Sequence, residues 1–472
     1  MKITKLLLLL LIVSFYSCSN TYSQTYKIDV KINDLKNTDI FLGYYFGDKT
    51  YVSDTTKLDS NGKGTFTGDT LLEQGVYIVI LPSKKYFDII VGEDQNFYVE
   101  TSSDNILSDL KVKGSEENES FKNFRKFMMN SNAESAKIRK EMQGLDENSD
   151  SLEMLKKQFE ALSSDVKKFW DKTIQANEGK LLGILTNAMK NPEIPEIVVP
   201  ENIENKDSVK WFHSYNYNRD HYLDYIDFSD ARFLRTPFFH NKLETFFTKV
   251  LIQNPDTINK YIDIVATQAE ESDAVFQYVI HYLINTFQKS TIVGMDNVFV
   301  HIAEEYYISG KADWVSDETM EKLKEEVAKH RFNLVGNIAQ NLKMETINQE
   351  YESLHEIKSK FTLVYFFEPH CGHCKKVTPE VHKLYQEYSR EDFEVFAVYT
   401  QGDKTEWLEY INDKAYDDWI NVWDPYNLTN FRFFYNIYST PTLYLLDKDK
   451  KIVSKRIGAE TLKSILEIEL KK

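Results

Sequence analysis

Two cysteines three positions apart are the residues of this sequence most suited to chemistry. They are Cys371 and Cys374 in the stretch PHCGHCKK, and Cys18 is the third cysteine of the 472 residues. If a helix begins at this pair, the free N–H groups of its first turn would stabilise a thiolate at Cys371. Cys374, one turn further along, could then attack the mixed disulfide that Cys371 forms. A protonated His373 between them would stabilise that thiolate further.

Other roles for the pair remain open from the residues alone. A plain disulfide or two buried thiols would serve only the structure. A metal site could use His370, Cys371, His373 and Cys374. Four ligands on one helical turn close a tetrahedron poorly, however, and no second metal-spaced motif supplies more. Haem attachment is excluded because Lys375 stands where that motif needs histidine. We therefore predict no metal and no cofactor.

The N-terminus predicts export. Two lysines precede the apolar run Leu6–Val13, which is too short to span a bilayer but typical of a signal peptide over residues 1–23. Either Cys18 receives a lipid after cleavage, or cleavage before Gln24 releases a soluble protein. The lone cysteine directly after the apolar run favours lipidation. One remaining cysteine pair in a large exported chain favours redox chemistry over a framework of structural disulfides.

Composition narrows the class of protein. The formal net charge is −16 and no basic patch interrupts the sequence, which argues against a nucleic-acid partner because phosphates require clustered Lys and Arg. Aromatic residues make up 14 % of the chain, which argues against disorder. The length predicts two to four domains, each with enough apolar residues for a core.

Hydrophobic periodicity divides the chain into three predicted domains. Residues 24–113 alternate apolar and polar side chains between turn-rich stretches, as in Tyr26–Ile32, and predict an all-β sandwich. Residues 114–345 are predicted to be mostly helical, since apolar residues recur every three or four positions from Leu152 to Phe169. That stripe could bind a coiled-coil partner or pack within the domain.

The last predicted domain, residues 346–472, has an α/β pattern. The apolar run FTLVYFF predicts a buried strand, and a helix is predicted to begin with the CGHC stretch. Another strand, a second helix, a hairpin turning at DKDK and a final helix follow in order. Helices should therefore cover both faces of one sheet.

These features resemble the thioredoxin superfamily and, within it, the TlpA-like envelope thiol–disulfide oxidoreductases. The resemblance rests on Cys371 and Cys374 after an apolar strand, on Pro379 in the following helix, and on Pro441 in STPTLYLLD. The long separation between Cys371 and Pro441 leaves room for the extra helix of the TlpA-like branch. The resemblance implies that Pro441 is a cis-proline and that Thr440 before it offers backbone groups to an extended substrate. The upstream regions also resemble exported thioredoxin-like proteins.

The sequence departs from the family pattern around Cys374. Tyr365 stands where thioredoxins carry a buried acidic residue, and Val377 where TlpA-like proteins often carry glutamate. Glu368 is the nearest carboxylate and could accept the proton of Cys374, or be merely solvated. His370 replaces the usual tryptophan. The CGHC stretch itself resembles protein disulfide isomerase, whose couple is more oxidising than that of thioredoxin.

The resemblance implies an exported thiol–disulfide oxidoreductase in the periplasm or cell envelope. We predict a reductase of envelope protein disulfides that receives electrons from a membrane donor and touches the membrane only through a lipid anchor. A disulfide isomerase or oxidase is the first alternative. A non-enzymatic lipoprotein that binds a partner through its β and helical domains is the second. The sequence gives no prediction of oligomeric state.

Overall fold

The computed structural model describes residues 25–146 and 149–470. The predicted signal peptide and the lipidation candidate Cys18 lie outside the described residues. The chain divides into an N-terminal unit (Met1–Lys206, Asp220–Ile226 and Arg232–Leu243) and a C-terminal unit (Asp207–Arg219, Asp227–Ala231 and Glu244–Lys472). In the described part of the chain, none of the helices combines the length and the apolar composition that a membrane span requires.

Two four-stranded sheets form a sandwich in the N-terminal unit. The strands are β1 (Tyr26–Ile32), β2 (Asp39–Phe46), β3 (Lys49–Lys57), β4 (Lys63–Gly68), β5 (Gly75–Ile80), β6 (Tyr86–Val91), β7 (Asn96–Thr101) and β8 (Lys111–Lys113). One sheet has the order β4-β1-β7-β8 and the other β3-β2-β5-β6. Ile28 and Val30 of the first sheet share a buried core with Leu42 and Val79 of the second. The predicted all-β sandwich is confirmed.

Four helices pack on the sandwich or on one another in the N-terminal unit. They are α1 (Ile106–Asp109), α2 (Glu116–Met142), α3 (Asp150–Ala176) and α4 (Leu181–Ala188). The side chain of Asn118 on α2 donates to the carbonyl of Ile90 at 2.7 Å and accepts its N–H at 2.8 Å, which satisfies the backbone at the edge strand β6. The rings of Phe127 and Phe169 stack with centroids 3.9 Å apart, so the predicted apolar stripe packs in part on α2.

The rest of the middle region is helical as predicted. Its α-helices are α5 (Lys206–His221), α6 (Phe239–Thr245), α7 (Pro255–Ala269), α8 (Asp273–Gln288), α9 (Asp296–Ile302) and α10 (Asp317–Arg331). Short π-helical segments occur at Phe246–Val250 and Ala303–Ile308, and a 3₁₀ turn at Ala231–Arg235. Ile280 and Leu283 on α8 are fully buried. Ser316 caps α10 by accepting the N–H of Thr319 at 3.3 Å.

A seven-stranded sheet with helices on both faces forms the end of the C-terminal unit. Its strands are β9 (Lys343–Thr346), β10 (Tyr351–Ser353), β11 (Phe361–Phe367), β12 (Phe393–Tyr399), β13 (Ile420–Trp423), β14 (Thr442–Asp447) and β15 (Ile452–Lys455). The helices are α11 (Cys374–Gln386), α12 (Lys404–Lys414), α13 (Phe431–Phe434) and α14 (Ala459–Leu470), with a 3₁₀ turn at Leu354–Glu356. The strand order is β10-β9-β13-β12-β11-β14-β15, with β11, β12 and β13 parallel.

The strand β11 is buried on both faces. Leu363 and Tyr365 contact the core beneath α11, α12 and α14, whereas Val364 and Phe366 contact a second core beneath α13. This arrangement confirms the α/β prediction. It also adds β9, β10, β13 and α13, which the sequence analysis did not predict.

The first helix of this sheet begins later than predicted. Helix α11 starts at Cys374, not at Cys371. Cys371 lies in the preceding turn, where its sulfur accepts the backbone N–H of Cys374 at 3.2 Å. The sulfur therefore takes up a donor that the first helical turn leaves without a backbone partner.

Candidate active site around the cysteine pair

The cysteine pair lies where the central strand β11 ends and α11 begins. Parallel β12 and antiparallel β14 flank β11, so the turn after Phe367 opens at the edge where β12 and β13 also end. Cys371 is half-buried, and Cys374 is fully buried at the first helical position. Both are free thiols in this structure. One sulfur therefore faces the surface and the other faces the core.

Hydrogen bonds converge on the sulfur of Cys371. Its Sγ accepts the backbone N–H of Cys374 at 3.2 Å and, as a thiol, donates to the carbonyl of Thr440 at 3.1 Å. Partial burial opposes ionisation, but hydrogen bonds from Cys374, from the side chain of Thr440 and from the backbone of His373 outweigh it. They hold the pKa of the Cys371 thiol below its ordinary value. This sulfur is suited to attack as a thiolate.

The environment of Cys374 raises the pKa of its thiol instead of lowering it. Burial, followed by the hydrogen bond with Cys371, raises the pKa of the Cys374 thiol to about 12. A backbone hydrogen bond from Glu368 and one from the side chain of Thr440 work against this rise without cancelling it. Cys374 is therefore held as a protonated thiol at neutral pH.

Uncharged hydroxyl groups surround Cys374 on the core side. Thr378 Oγ1 donates to the carbonyl of Cys374 at 2.8 Å, and the hydroxyl of Tyr365 lies 2.7 Å from the same Oγ1. Burial raises the pKa of Tyr365 far above its ordinary value, so this residue stays neutral where thioredoxins carry an acid. Tyr410 on α12 is partly buried near both cysteines, and burial raises its pKa too. The core side thus supplies no proton acceptor.

The loop before β14 lies against Cys371. The peptide bond between Thr440 and Pro441 is cis. The Thr440 carbonyl, 3.1 Å from Cys371 Sγ, brings this loop next to the sulfur that faces the surface. Pro379 lies inside α11, and Val377 packs against the core.

The charged residues predicted near the pair differ in burial and in the atoms through which they approach the cysteines. Glu368 is half-buried, and its Oε1 accepts the hydroxyl of Thr400 at 3.2 Å. The side chain of His373 is exposed, and only its backbone reaches Cys371. His370 is 83 % exposed and pairs with Glu406 at 3.0 Å. The structure therefore brings Glu368 to the cysteines through its backbone and directs both histidines toward the surface.

Two residues of the site were missed by sequence analysis. Thr378 and Tyr410 are ordinary positions on helices α11 and α12, and the local sequence carries no signal that they would meet beneath Cys374. Within residues 25–146 and 149–470, no group of three or more His, Cys, Asp and Glu side chains is arranged to hold a metal ion.

A cleft of about 580 Å³ opens beside the pair, between α11 and α12. Its lining includes Pro369, His370, Pro379 and Tyr410. The acidic side chains of Glu406 and Glu409 and the basic side chain of Lys375 stand around it. The surface around Pro369 and His370 is thus concave and carries charges of both signs.

Three family models match separate parts of the chain. A model described as thioredoxin-like matches residues 359–452, which contain the cysteine pair and Pro441. Two models described as domains of unknown function, DUF5106 and DUF4369, match residues 156–333 and 26–121.

Two named relatives each match somewhat more than a quarter of the chain. The thiol-disulfide oxidoreductase ResA of Bacillus cereus is 30 % identical over 127 residues, covering 27 % of this chain and 72 % of the relative. The thioredoxin-like protein YneN of Bacillus subtilis is 27 % identical over 132 residues, covering 28 % of this chain and 75 % of the relative.

Two solved structures are similar to this chain over different shares of its length. A domain of a possible thiol-disulfide isomerase from Cytophaga hutchinsonii is 37 % identical, with a TM-score of 0.28, covering 29 % of this chain and 94 % of that one. A thioredoxin-like protein from Bacteroides caccae is 18 % identical, with a TM-score of 0.44, covering 59 % of this chain and 98 % of that one.

Proposed function

Because the chain belongs to the thioredoxin-like thiol–disulfide oxidoreductases, we propose that Cys371 and Cys374 are its redox-active pair. The Cys371 thiolate attacks one sulfur of a substrate disulfide, forms a mixed disulfide and expels the other substrate sulfur as a thiolate. The Cys374 thiolate then attacks Cys371 Sγ and releases the second substrate thiolate. The pair ends as a disulfide, and two electrons have passed to the substrate.

The observation that carries this proposal is the difference between the two sulfurs. The pKa of Cys371 is lowered and its sulfur faces the surface, whereas burial raises the pKa of Cys374 to about 12. A substrate can therefore reach only the sulfur that ionises more readily. The buried sulfur is kept for the step that follows inside the mixed disulfide.

The proton of Cys374 needs an acceptor in the second step. We assign Glu368 to this role, because its backbone hydrogen-bonds to Cys374 and its carboxylate is held by Thr400. A water molecule between the carboxylate and the thiol would carry the proton, as general bases commonly use one. Tyr365 and Tyr410 stay neutral and would act only by packing and hydrogen bonding.

The substrate is proposed to lie along the loop that contains Thr440 and Pro441. The Thr440 carbonyl already points to Cys371 Sγ, and an extended peptide bearing the target cysteine could pair with backbone groups at the same place. The cleft beside Pro369 would take the residues that flank that cysteine. Protein disulfides are therefore the proposed substrates.

We propose that electrons flow from this protein to its substrates, so that it acts as a reductase. The test is the reduction potential of the Cys371/Cys374 couple, measured by equilibration in graded glutathione buffers with trapping of free thiols. A value near about −270 mV supports a reductase, and a value near about −180 mV or above would make the protein an isomerase or oxidase, as its CGHC stretch favours.

We further propose that this chemistry takes place outside the cytoplasm, in the periplasm or cell envelope. The charged and apolar N-terminal pattern supports export, and Cys18 is the proposed site of a lipid anchor. A reductase there needs a membrane-bound electron donor. Cell fractionation of the wild-type chain and of a Cys18→Ala variant tests this. Membrane attachment that does not depend on Cys18 would reject the anchor.

The proposed domains follow the predicted bounds: 24–113, 114–345 and 346–472. Strand β9 begins at Lys343, close to the last boundary. Limited proteolysis followed by mass spectrometry of the fragments would test these bounds.

A further inference from the structure

A cavity of about 510 Å³ lies in the N-terminal unit, away from the sandwich core. Val76 and Asp88 contribute to it from strands β5 and β6, and Phe124, Trp170 and Leu185 from helices α2, α3 and α4. The volume falls within the range of about 300–1,000 Å³ that is typical of small-molecule sites. The redox chemistry proposed above uses none of these residues.

The cavity is lined mainly by apolar side chains that can adapt in shape. Met128, Met129 and Met189 are among them. Met129 is 47 % exposed and Met189 is 42 % exposed, so these two lie where the cavity meets solvent. Methionine side chains are flexible and polarisable and are common where a surface accepts varied apolar ligands. Such a lining fits a flexible hydrocarbon chain.

One ion pair gives the cavity a polar end. Arg125 Nη1 lies 2.9 Å from Asp88 Oδ2, and the other carboxylate oxygen of Asp88 accepts the hydroxyl of Tyr45 at 3.0 Å. Asp88 is thus held through both carboxylate oxygens, and its charge is paired with that of Arg125. The side chain of Arg125 is 34 % exposed.

The balance of donors and acceptors at this end decides the kind of ligand. A guanidinium carries five N–H donors in a planar fork, so Arg125 keeps donors available after pairing with Asp88. Among the described residues that line the cavity, Arg125 is the one basic side chain, and Asn132 adds an amide. A ligand head that accepts hydrogen bonds, such as a carboxylate, fits this end better than a cationic head.

We propose that this cavity binds a single-chain amphiphile with a carboxylate head, a fatty acid or a molecule of that chemistry. The hydrocarbon chain lies among the apolar side chains, and the carboxylate accepts hydrogen bonds from Arg125. This binding is independent of the cysteine chemistry, so a Cys371→Ser variant binds the ligand as the wild-type chain does.

The experiment uses the full chain and a dansylated undecanoic acid as fluorescent probe, below its micelle concentration and without detergent. Dodecanoate is expected to displace the probe. Dodecanol and dodecyltrimethylammonium, which keep the chain and change the head, are expected to compete at least about tenfold more weakly, because they lose a charge-assisted hydrogen bond. Failure of the wild-type chain to bind the probe, or equal competition by all three, overturns the proposal.

Two variants and a matched control locate the site. Arg125→Leu should weaken the binding of dodecanoate about tenfold and leave the affinity for dodecanol unchanged. Arg139→Leu is the control, since Arg139 lies on the same helix but stacks on Phe159 outside the cavity. Leu185→Trp fills the cavity and should abolish binding of both competitors.

The folded state of each variant is checked by circular dichroism. If Leu185→Trp does not fold, Met129→Trp at the exposed side serves as a second filling variant. Binding that survives in the folded filling variants, or that is lost equally in Arg139→Leu, overturns the proposal. The proposal is also overturned if the protein is a dimer that binds the probe only after it dissociates, because a second copy of the chain would then occupy the cavity.

Discussion

Cys371 and Cys374 stand three residues apart, but their surroundings differ in each property that governs a thiol. The sulfur of Cys371 is half-buried and receives backbone and side-chain hydrogen bonds that lower its pKa. The sulfur of Cys374 is fully buried above the hydroxyl groups of Tyr365 and Thr378, and burial raises its pKa to about 12. One turn of chain thus separates a sulfur that is ready to react from one that is kept protonated.

This difference shows how two identical residues acquire different roles. The N–H groups at the start of α11 face Cys371 because it lies in the turn before the helix. Cys374 is the first residue of that helix and points into the core under β11. In the proposed mechanism, the position of the helix start decides which sulfur attacks, since the two residues are identical in type.

The largest expected effect comes from removing either sulfur. Cys371→Ser should reduce turnover of a model peptide disulfide by at least about a thousandfold, as loss of a nucleophile commonly does. Cys374→Ser should also stop turnover but leave the rate of the first attack within about threefold of wild type. Stopped-flow assays with the reduced protein separate the two steps. A first attack of normal rate in Cys371→Ser would break the comparison.

The next effect concerns the proton of Cys374. Glu368→Gln should slow resolution of the mixed disulfide by about a hundredfold, the usual scale for loss of a general base. The attack by Cys371 should be unchanged. Glu380→Gln is the matched control, because that glutamate is exposed on the same helix as Cys374 and lies outside the cleft lining. Equal slowing by both variants would assign the effect to general electrostatics and would reject Glu368 as the base.

The pH dependence of alkylation compares the two cysteines directly in the wild-type protein. Thiolate forms as pH rises through the pKa, so the iodoacetamide reaction of Cys371 should reach half its maximum below pH 9, and that of Cys374 only near pH 12. A difference of about three pKa units between the two thiols gives Cys371 about a thousandfold larger thiolate fraction at neutral pH. The thiolate of lower pKa is intrinsically less nucleophilic, which offsets about thirtyfold of this advantage. At neutral pH Cys371 should therefore react at least about thirtyfold faster. Mass spectrometry of each cysteine peptide measures this, and equal rates would contradict the assignment.

The smallest effect concerns the hydroxyl groups beneath Cys374. Tyr365→Phe removes a buried hydrogen bond to Thr378 Oγ1 and should lower the free energy of unfolding by about 1 kcal/mol. Thr378→Val, combined with Tyr365→Phe in a double-mutant cycle, should show coupling of similar size. Urea unfolding measures both. Additive effects would mean that the two hydroxyls do not interact.

Much of the fold follows from strong local patterns in the sequence. The alternation in β1 and the apolar run of β11 were long enough to identify, and both elements lie where predicted. Strand β13 was missed because it has four residues, Ile420–Trp423, and depends on pairing with β12 for its existence. Strand β9 also has four residues and β10 has three, and both were missed for the same reason.

Part of the candidate site could likewise be predicted from the sequence, and part of it could not. The cysteine pair and Pro441 could be found because their residue types and spacing are unusual. The contacts of Thr378 and Tyr410 depend on how α11 and α12 pack against β11, which no local pattern specifies. The sequence suggested that His373 would act on the thiolate through its side chain, but in the structure its backbone makes that contact.

Trapping of the mixed disulfide would show which of the two sulfurs attacks the substrate. The reduced Cys374→Ser chain is mixed with a peptide that contains one disulfide, quenched with acid and mapped by mass spectrometry. A stable adduct is expected on Cys371, and no adduct is expected when Cys371→Ser is treated in the same way. An adduct on Cys374 in the Cys371→Ser chain at a comparable rate, or no adduct on Cys371, would contradict the assignment of Cys371 as the attacking sulfur.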